Sequence, residues 1–132
     1  MLRIEAVWFG MDEVTSRRMI GAAIEVHRFL GPGLLESAYQ TCLAHELGLR
    51  GLQFAHHVDL PVVFKGVTLG CGYRMDFVVE GQLVVEVKAI STIHPVHQAQ
   101  LLTCLKLGGY RVGLLLNFHA ALMKDGILRA VL

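Results

Sequence analysis

"RMDFVVEGQLVVEVKA", residues 74–89, sets three charged side chains inside what otherwise reads as two buried β-strands. Asp76, Glu86 and Lys88 stand there among Met, Phe, Leu and Val. Side chains alternate across a strand, so Glu86 and Lys88 share one face while Val85 and Val87 take the other. By the same rule Arg74, Asp76 and Val78 share a face of the preceding strand. Asp76 meets Glu86 only if the hairpin pairs about Gly81, which calls for an odd-length loop or a bulge. A two-residue Glu80–Gly81 turn would pair Asp76 with Val85 and send Glu86 to the far side. A three-residue loop containing Gly is a common hairpin, so the first register is open to this chain.

Two carboxylates about 4 Å apart repel by roughly 4 kcal/mol at an effective dielectric near 20. Something cationic has to offset that, either Lys88 or a bound metal. Mg²⁺ is held by one or two carboxylates together with waters and substrate phosphate oxygens. In such a site the metal activates water and steadies a phosphodiester under attack. Lys88 would hold the water or the phosphate as a point charge. The plainer reading is an Asp–Lys–Glu ion cluster that solubilises a sheet edge. Against it, the apolar flanks make both strands look central, where ion clusters seldom add stability over hydrophobic replacements.

Working outward, apolar residues from Glu13 to Leu30 fall at helical spacing: Met19, Ile20, Ala23, Ile24, Val26 and Leu30. Gly31-Pro32-Gly33 stops that helix and opens a second, expected over 34–49 and ending at Gly48 or Gly51. Residues 54–63 and 67–73 read as short strands joined at Lys65-Gly66. A second hairpin, 73–79 with 83–90, turns at Glu80-Gly81. A third helix is expected over 95–107 with Pro95 in its first turn. Strands follow at 110–117 and 127–131. This order predicts an α/β fold with a mixed central sheet flanked by helices.

With 132 residues, one domain over 1–132 is expected, its core at about 13–131. Hydrophobic residues make up 54% and charged residues 17%, which excludes a disordered chain and leaves apolar surface for a homo-oligomer contact. The net charge of +1 gives no global attraction for polyanions, so nucleic acid would need a local patch. The three cysteines, Cys42, Cys71 and Cys104, form no CxxC pair and read as reduced thiols of a cytoplasmic protein. The opening MLRIEAVWFGMDEV lacks a signal-peptide core, and no membrane span is expected.

Asp76 followed by Glu86-Val87-Lys88 across a hairpin resembles the PD-(D/E)XK nuclease superfamily, with Met75 at the variable Pro position. A second stretch, Gly33-Leu34-Leu35-Glu36-Ser37-Ala38-Tyr39, is similar to the signature of the small GxxExxY family within that superfamily. The likeness extends through "HQAQLLTCLKLGGYRVGLLLNF" and "KDGILR", from about Ile20 to Arg129. It implies a restriction-endonuclease-like αβββαβ core and a Mg²⁺- or Mn²⁺-dependent phosphodiesterase acting on DNA or another nucleic acid. Asp76 and Glu86 would bind metal with the Val87 carbonyl and Glu36. Lys88 would polarise the water or hold the phosphate, Gln100 would orient its neighbours, and Arg74 would contact phosphate. The rival reading is a catalytically inactive module that keeps the fold for partner binding or oligomerisation. A subunit active only within a larger assembly is the third.

Several of these residues also have structural readings. With Gly33 as N-cap, Glu36 becomes the third helical residue and caps the helix. Tyr39 would pack, with its hydroxyl on a site carboxylate. Gln100 lies on one helix face with His97, Leu101 and Cys104, and serves equally as a buried amide in a polar network. Cys104 stands where related branches carry Tyr, which weakens any base-stacking role there. Among the seven histidines, His56 and His57 should point to opposite strand faces. His94 and His97 share a helix end without completing a zinc set, and His27 and His45 read as surface or boundary residues. Arg17, Arg18, Arg28, Lys65, Lys106, Arg111, Lys124 and Arg129 read as scattered surface charge. No GxSxG elbow is present.

Overall fold

The computed structural model describes residues 3–4 and 11–132, with the backbone alone for 3–4, 11, 12 and 71. The signal-peptide reading of the N-terminus and the Cys71 thiol therefore lie outside the described residues. In chain order the elements are β1 (Arg3–Ile4), α1 (Met11–Leu30), α2 (Glu36–Leu49), β2 (Phe54–Phe64), β3 (Val67–Val79) and β4 (Leu83–Lys88). They continue with α3 (Pro95–Gly108), β5 (Val112–Asn117), a 3-10 turn (Met123–Gly126) and β6 (Ile127–Val131). The run from α2 to β5 is the expected αβββαβ order.

One six-stranded sheet has the order β1-β6-β5-β4-β3-β2. Only β4 and β5 run parallel, because the α3 crossover joins them; the other neighbours are antiparallel. Helices cover both faces, which explains why β4 and β5 read as nearly continuous apolar runs. On one face, Met19, Ala22, Ala23 and Val26 of α1 and Tyr39, Leu43 and Leu47 of α2 pack on Phe77, Val79, Val85, Val87, Leu114 and Leu116. Their spacing of three and four residues aims them at the sheet. Ile24, expected inside, faces out, and Ala22 takes its place. On the other face, Leu101, Cys104 and Leu105 of α3 cover Met75, Val78, Val84 and Leu115.

Two strand readings need correction. Residues 67–79 form one strand of 13 residues with no turn at Tyr73. Gly70 and Gly72 lie at a register shift between Leu60 and Val62, opposite Pro61 on the edge strand. A Cβ on Gly72 would lie 1.9 Å from the Leu60 carbonyl oxygen, so only glycine fits there. Strand β4 stops at Lys88, two residues short of Ile90. Buried Asn117 holds that exit: it accepts from the Ile90 N–H at 3.1 Å and donates Nδ2–H to the Ile90 carbonyl at 2.9 Å.

Two other expectations change. His27 is buried, its Nε2 at 2.8 Å from the Ala120 carbonyl oxygen, and His45 is exposed. Arg129 is buried and not part of the solvated surface. Cys42 and Cys104 are free thiols. Among the described residues no helix is long and apolar enough to cross a membrane.

Candidate functional site

The β3–β4 ladder fixes the site. Its partners are Val79↔Leu83, Val78↔Val84 and Phe77↔Val85, a register centred on Gly81. The next step places Asp76 opposite Glu86. Gln82 is the extra residue that makes the loop odd: its N–H donates to the Val79 carbonyl at 3.1 Å, while Glu80 and Gly81 take φ of 53° and 67°. The pairing required for a joint carboxylate site is therefore the one adopted.

Beyond Phe77↔Val85 the two strands no longer pair. The Asp76 carboxylate fills the opening, its Oδ2 accepting the Val87 N–H at 2.8 Å. On its other side Asp76 also lacks a ladder partner. The β2–β3 register steps from His56↔Phe77 to Val58↔Met75 and omits the His57–Asp76 position. Asp76 thus sits where both flanking ladders open, while Phe77 and Met75 beside it are buried.

Asp76, Glu86 and Lys88 line one cleft of about 180 Å³ with Arg74, Gln100, His97 and Cys104. Burial pushes the Glu86 carboxyl up to about 8, and the neighbouring Asp76 charge and a hydrogen bond with its carboxylate push in the same direction. Lys88 and a backbone hydrogen bond at Asp76 pull the other way without prevailing. Burial and the neighbouring carboxylate therefore favour the protonated form of Glu86 beside Asp76. Cys104 closes the wall, its Sγ 3.9 Å from Glu86 Oε1. Burial and the Glu86 charge push that thiol up to about 12, so it is no nucleophile at neutral pH.

Glu36 reaches the site from the other helix layer. The N-cap of α2 is Leu35, without a side-chain cap, and Glu36 is the first helical residue. The capping-box expectation therefore fails, because the helix starts two residues later than Gly33 predicts. Burial raises the Glu36 carboxyl above its ordinary value; Lys88 opposes this and Asp76 adds to it. Those two influences put Glu36 within electrostatic reach of the cleft, although it is not part of the cleft wall.

Tyr39 sets the position of Glu36, and not in the way expected. Its hydroxyl donates to the Gly31 carbonyl at 2.5 Å and accepts from the Leu34 N–H at 3.2 Å, so it touches no site carboxylate. Its ring stacks on Phe118 at 4.5 Å. Tyr39 thus clasps the loop at Gly31 and Leu34, on either side of the motif glycine: glycines 31 and 33 adopt φ of 66° and 106°, and the hydroxyl ties the loop to the helix it precedes. Glu36 projects from between them.

Arg74 lies at the cleft but pairs across the sheet with Asp59, Nε to Oδ1 at 3.2 Å, both ends exposed. Such a pair is weak, in the range of about 0–1 kcal/mol, so the guanidinium can be drawn off by a stronger anion. His94 and His97 bind each other at the start of α3. The His97 Nδ1 accepts the His94 N–H at 2.9 Å, which leaves the proton of the neutral ring on Nε2.

The histidines of β2 break the alternation rule. His57 has φ of 58°, and its ring stacks on His56 at 3.8 Å instead of pointing to the opposite face. His56 stacks in turn on Phe77 at 4.3 Å and bonds Gln40 Oε1 through Nε2 at 2.9 Å. Burial lowers the His56 pKa, with His57 adding to the fall and Asp76 opposing it. Gln40 and Asn117 did not stand out in the sequence, and the adjacent His56–His57 pair gives no sign that one member will turn left-handed.

Among the described residues no group of three or more His, Cys, Asp and Glu side chains is placed to hold a metal ion. The compact donor set is the Asp76–Glu86 pair. Two hard carboxylates fit Mg²⁺ or Mn²⁺, which need few protein ligands, better than a closed zinc site.

No curated protein and no solved structure matches the chain. Residues 13–130 match a family model described as the PD-(D/E)XK nuclease superfamily. That span takes in α2, α3 and every strand from β2 to β5, with the cleft carboxylates and the lysine at their centre; the chain belongs to the PD-(D/E)XK nuclease superfamily.

Proposed function

We propose that the chain is a divalent-metal-dependent phosphodiesterase acting on nucleic acid, of the GxxExxY type within its superfamily. The observation that carries this is the opened end of the β3–β4 hairpin. There Asp76 and the raised carboxyl of Glu86 face each other beside Lys88. A chain gains no stability from a raised carboxyl at a strand end. A cation that replaces the proton removes the repulsion.

Asp76, Glu86 and the Val87 carbonyl would hold the metal, with Glu36 supporting it from the α2 side. When bound, Mg²⁺ or Mn²⁺ supplies an acidified water and positive charge for the phosphate oxygens. Lys88 holds the attacking water against the phosphorus and balances the charge that grows on the phosphate. Gln100 orients that water from α3. Arg74 leaves its weak pair with Asp59 to take a phosphate oxygen. The chain functions as one domain, and the free thiols of Cys42 and Cys104 suit a reducing, cytoplasmic setting.

The test combines calorimetric titration with Mn²⁺ and cleavage assays on single- and double-stranded DNA and RNA. Lys88→Ala should keep metal binding and lose about 100- to 1000-fold in cleavage rate. No metal binding, together with no difference between variant and parent, would leave the inactive module as the reading. One observation favours that module: Val63, Phe64 and Val67 form an exposed apolar tip on the β2–β3 hairpin.

A further inference from the structure

The ring stack on β2 is not used by the carboxylate chemistry, yet it borders the same site. A second cleft of about 340 Å³ is lined by Glu36, Ser37, Gln40, Thr41, His56 and His57. Glu36 lines this second cleft and lies within electrostatic reach of Lys88 and Asp76 in the first. We propose that the exposed His57 ring is a stacking platform for an unpaired nucleobase of the substrate, held beside the scissile phosphate. This rests on the nuclease reading and names the substrate feature that site would recognise.

The rings form a column. Phe77 is buried at its base, His56 lies nearly parallel on it with an interplanar angle of 4°, and His57 covers His56 at 20°. Gln40, which lines the same cleft, pins the middle ring through Oε1. The outer face of His57 is open to solvent. A flat, exposed ring at the end of an ordered stack accepts another flat ring at little entropic cost.

The backbone supports the same conclusion. Alternation would send His57 to the α3 face, and only its left-handed φ of 58° brings it over His56. A non-glycine residue in that region carries a conformational cost, and such costs concentrate at ligand sites. The same kink removes the ladder bond opposite Asp76, so the turn that raises the ring also opens the carboxylate site. Stacking needs a base freed from its partner, so the substrate is single-stranded or locally unpaired.

The experiment uses the full chain in EDTA, which stops cleavage, and a single-stranded DNA oligonucleotide carrying 2-aminopurine. Anisotropy gives affinity and fluorescence quenching reports stacking. His57→Ala should weaken binding about ten- to hundredfold and abolish quenching, with Tm and Mn²⁺ affinity unchanged. His57→Phe should restore both. If the parent binds the oligonucleotide and His57→Ala binds and quenches equally well, the stack is structural and the proposal fails while the nuclease reading stands. Failure of His57→Phe to restore what His57→Ala loses also refutes stacking, since it assigns the ring a polar contact. If the parent binds Mn²⁺ but no nucleic acid, the nuclease reading itself fails, and the platform with it.

Discussion

The two halves of β4 have the same backbone and opposite surroundings. Leu83, Val84 and Val85 pair with β3 on one side and β5 on the other, and all three are buried. Glu86, Val87 and Lys88 keep β5 alone; on the β3 side a carboxylate takes the Val87 N–H. The first half is held by packing, and the second gives up ladder bonds to create a charged opening. A strand divided in this way shows that β5 carries the register while β3 is released to shape the cleft.

The packed half should respond most to truncation. Leu83 is buried among the α1, α2 and sheet side chains, so Leu83→Ala should cost about 2–5 kcal/mol in urea unfolding. Folding unaffected by this change would mean that the two halves do not differ as described.

The charged half should respond in the opposite direction, and only above pH 4.5. Glu86 titrates near 8 in the folded chain and near 4.5 when free. Between those values the folded state holds a proton that the unfolded state lacks. This contribution is fully present below pH 4.5 and is lost as pH rises towards 8. Glu86→Gln keeps the neutral shape and escapes that loss. In chelator it should match the parent near pH 4 and exceed it by about 2 kcal/mol at pH 9. Equal stability at both pH values would show that Asp76 and Glu86 are not crowded.

The contrast within β4 was legible in the sequence because charges in an apolar strand conflict with burial, and alternation assigns their faces. The odd loop at Gly81 was open to inference for the same reason: only one register joins Asp76 to Glu86. What escaped depended on backbone states that side-chain type does not announce. His57 turns left-handed without being glycine, and with it went the stack and the gap opposite Asp76. The strand reads as divided at Tyr73 although it runs on to Val79, because the register shift that it carries lies opposite Pro61, a residue of another strand. Glu36 fitted a capping box by spacing, but the clasp delays the helix until that residue.

That clasp offers the smallest test, and it separates holding a residue from making its chemistry. Tyr39→Phe keeps the ring on Phe118 and removes only the hydroxyl, stranding the Gly31 carbonyl and the Leu34 N–H. The loop is exposed enough for water to reach both groups, so the loss should be about 1 kcal/mol. If Tyr39 works through Glu36, Mn²⁺ affinity should fall by a few-fold as well, while the difference between parent and Glu86→Gln at pH 9 persists. Lower stability with unchanged metal affinity would confine the tyrosine to the loop. It would also place Glu36 outside the metal's reach, leaving Asp76 and Glu86 to bind it from the opened strand end alone.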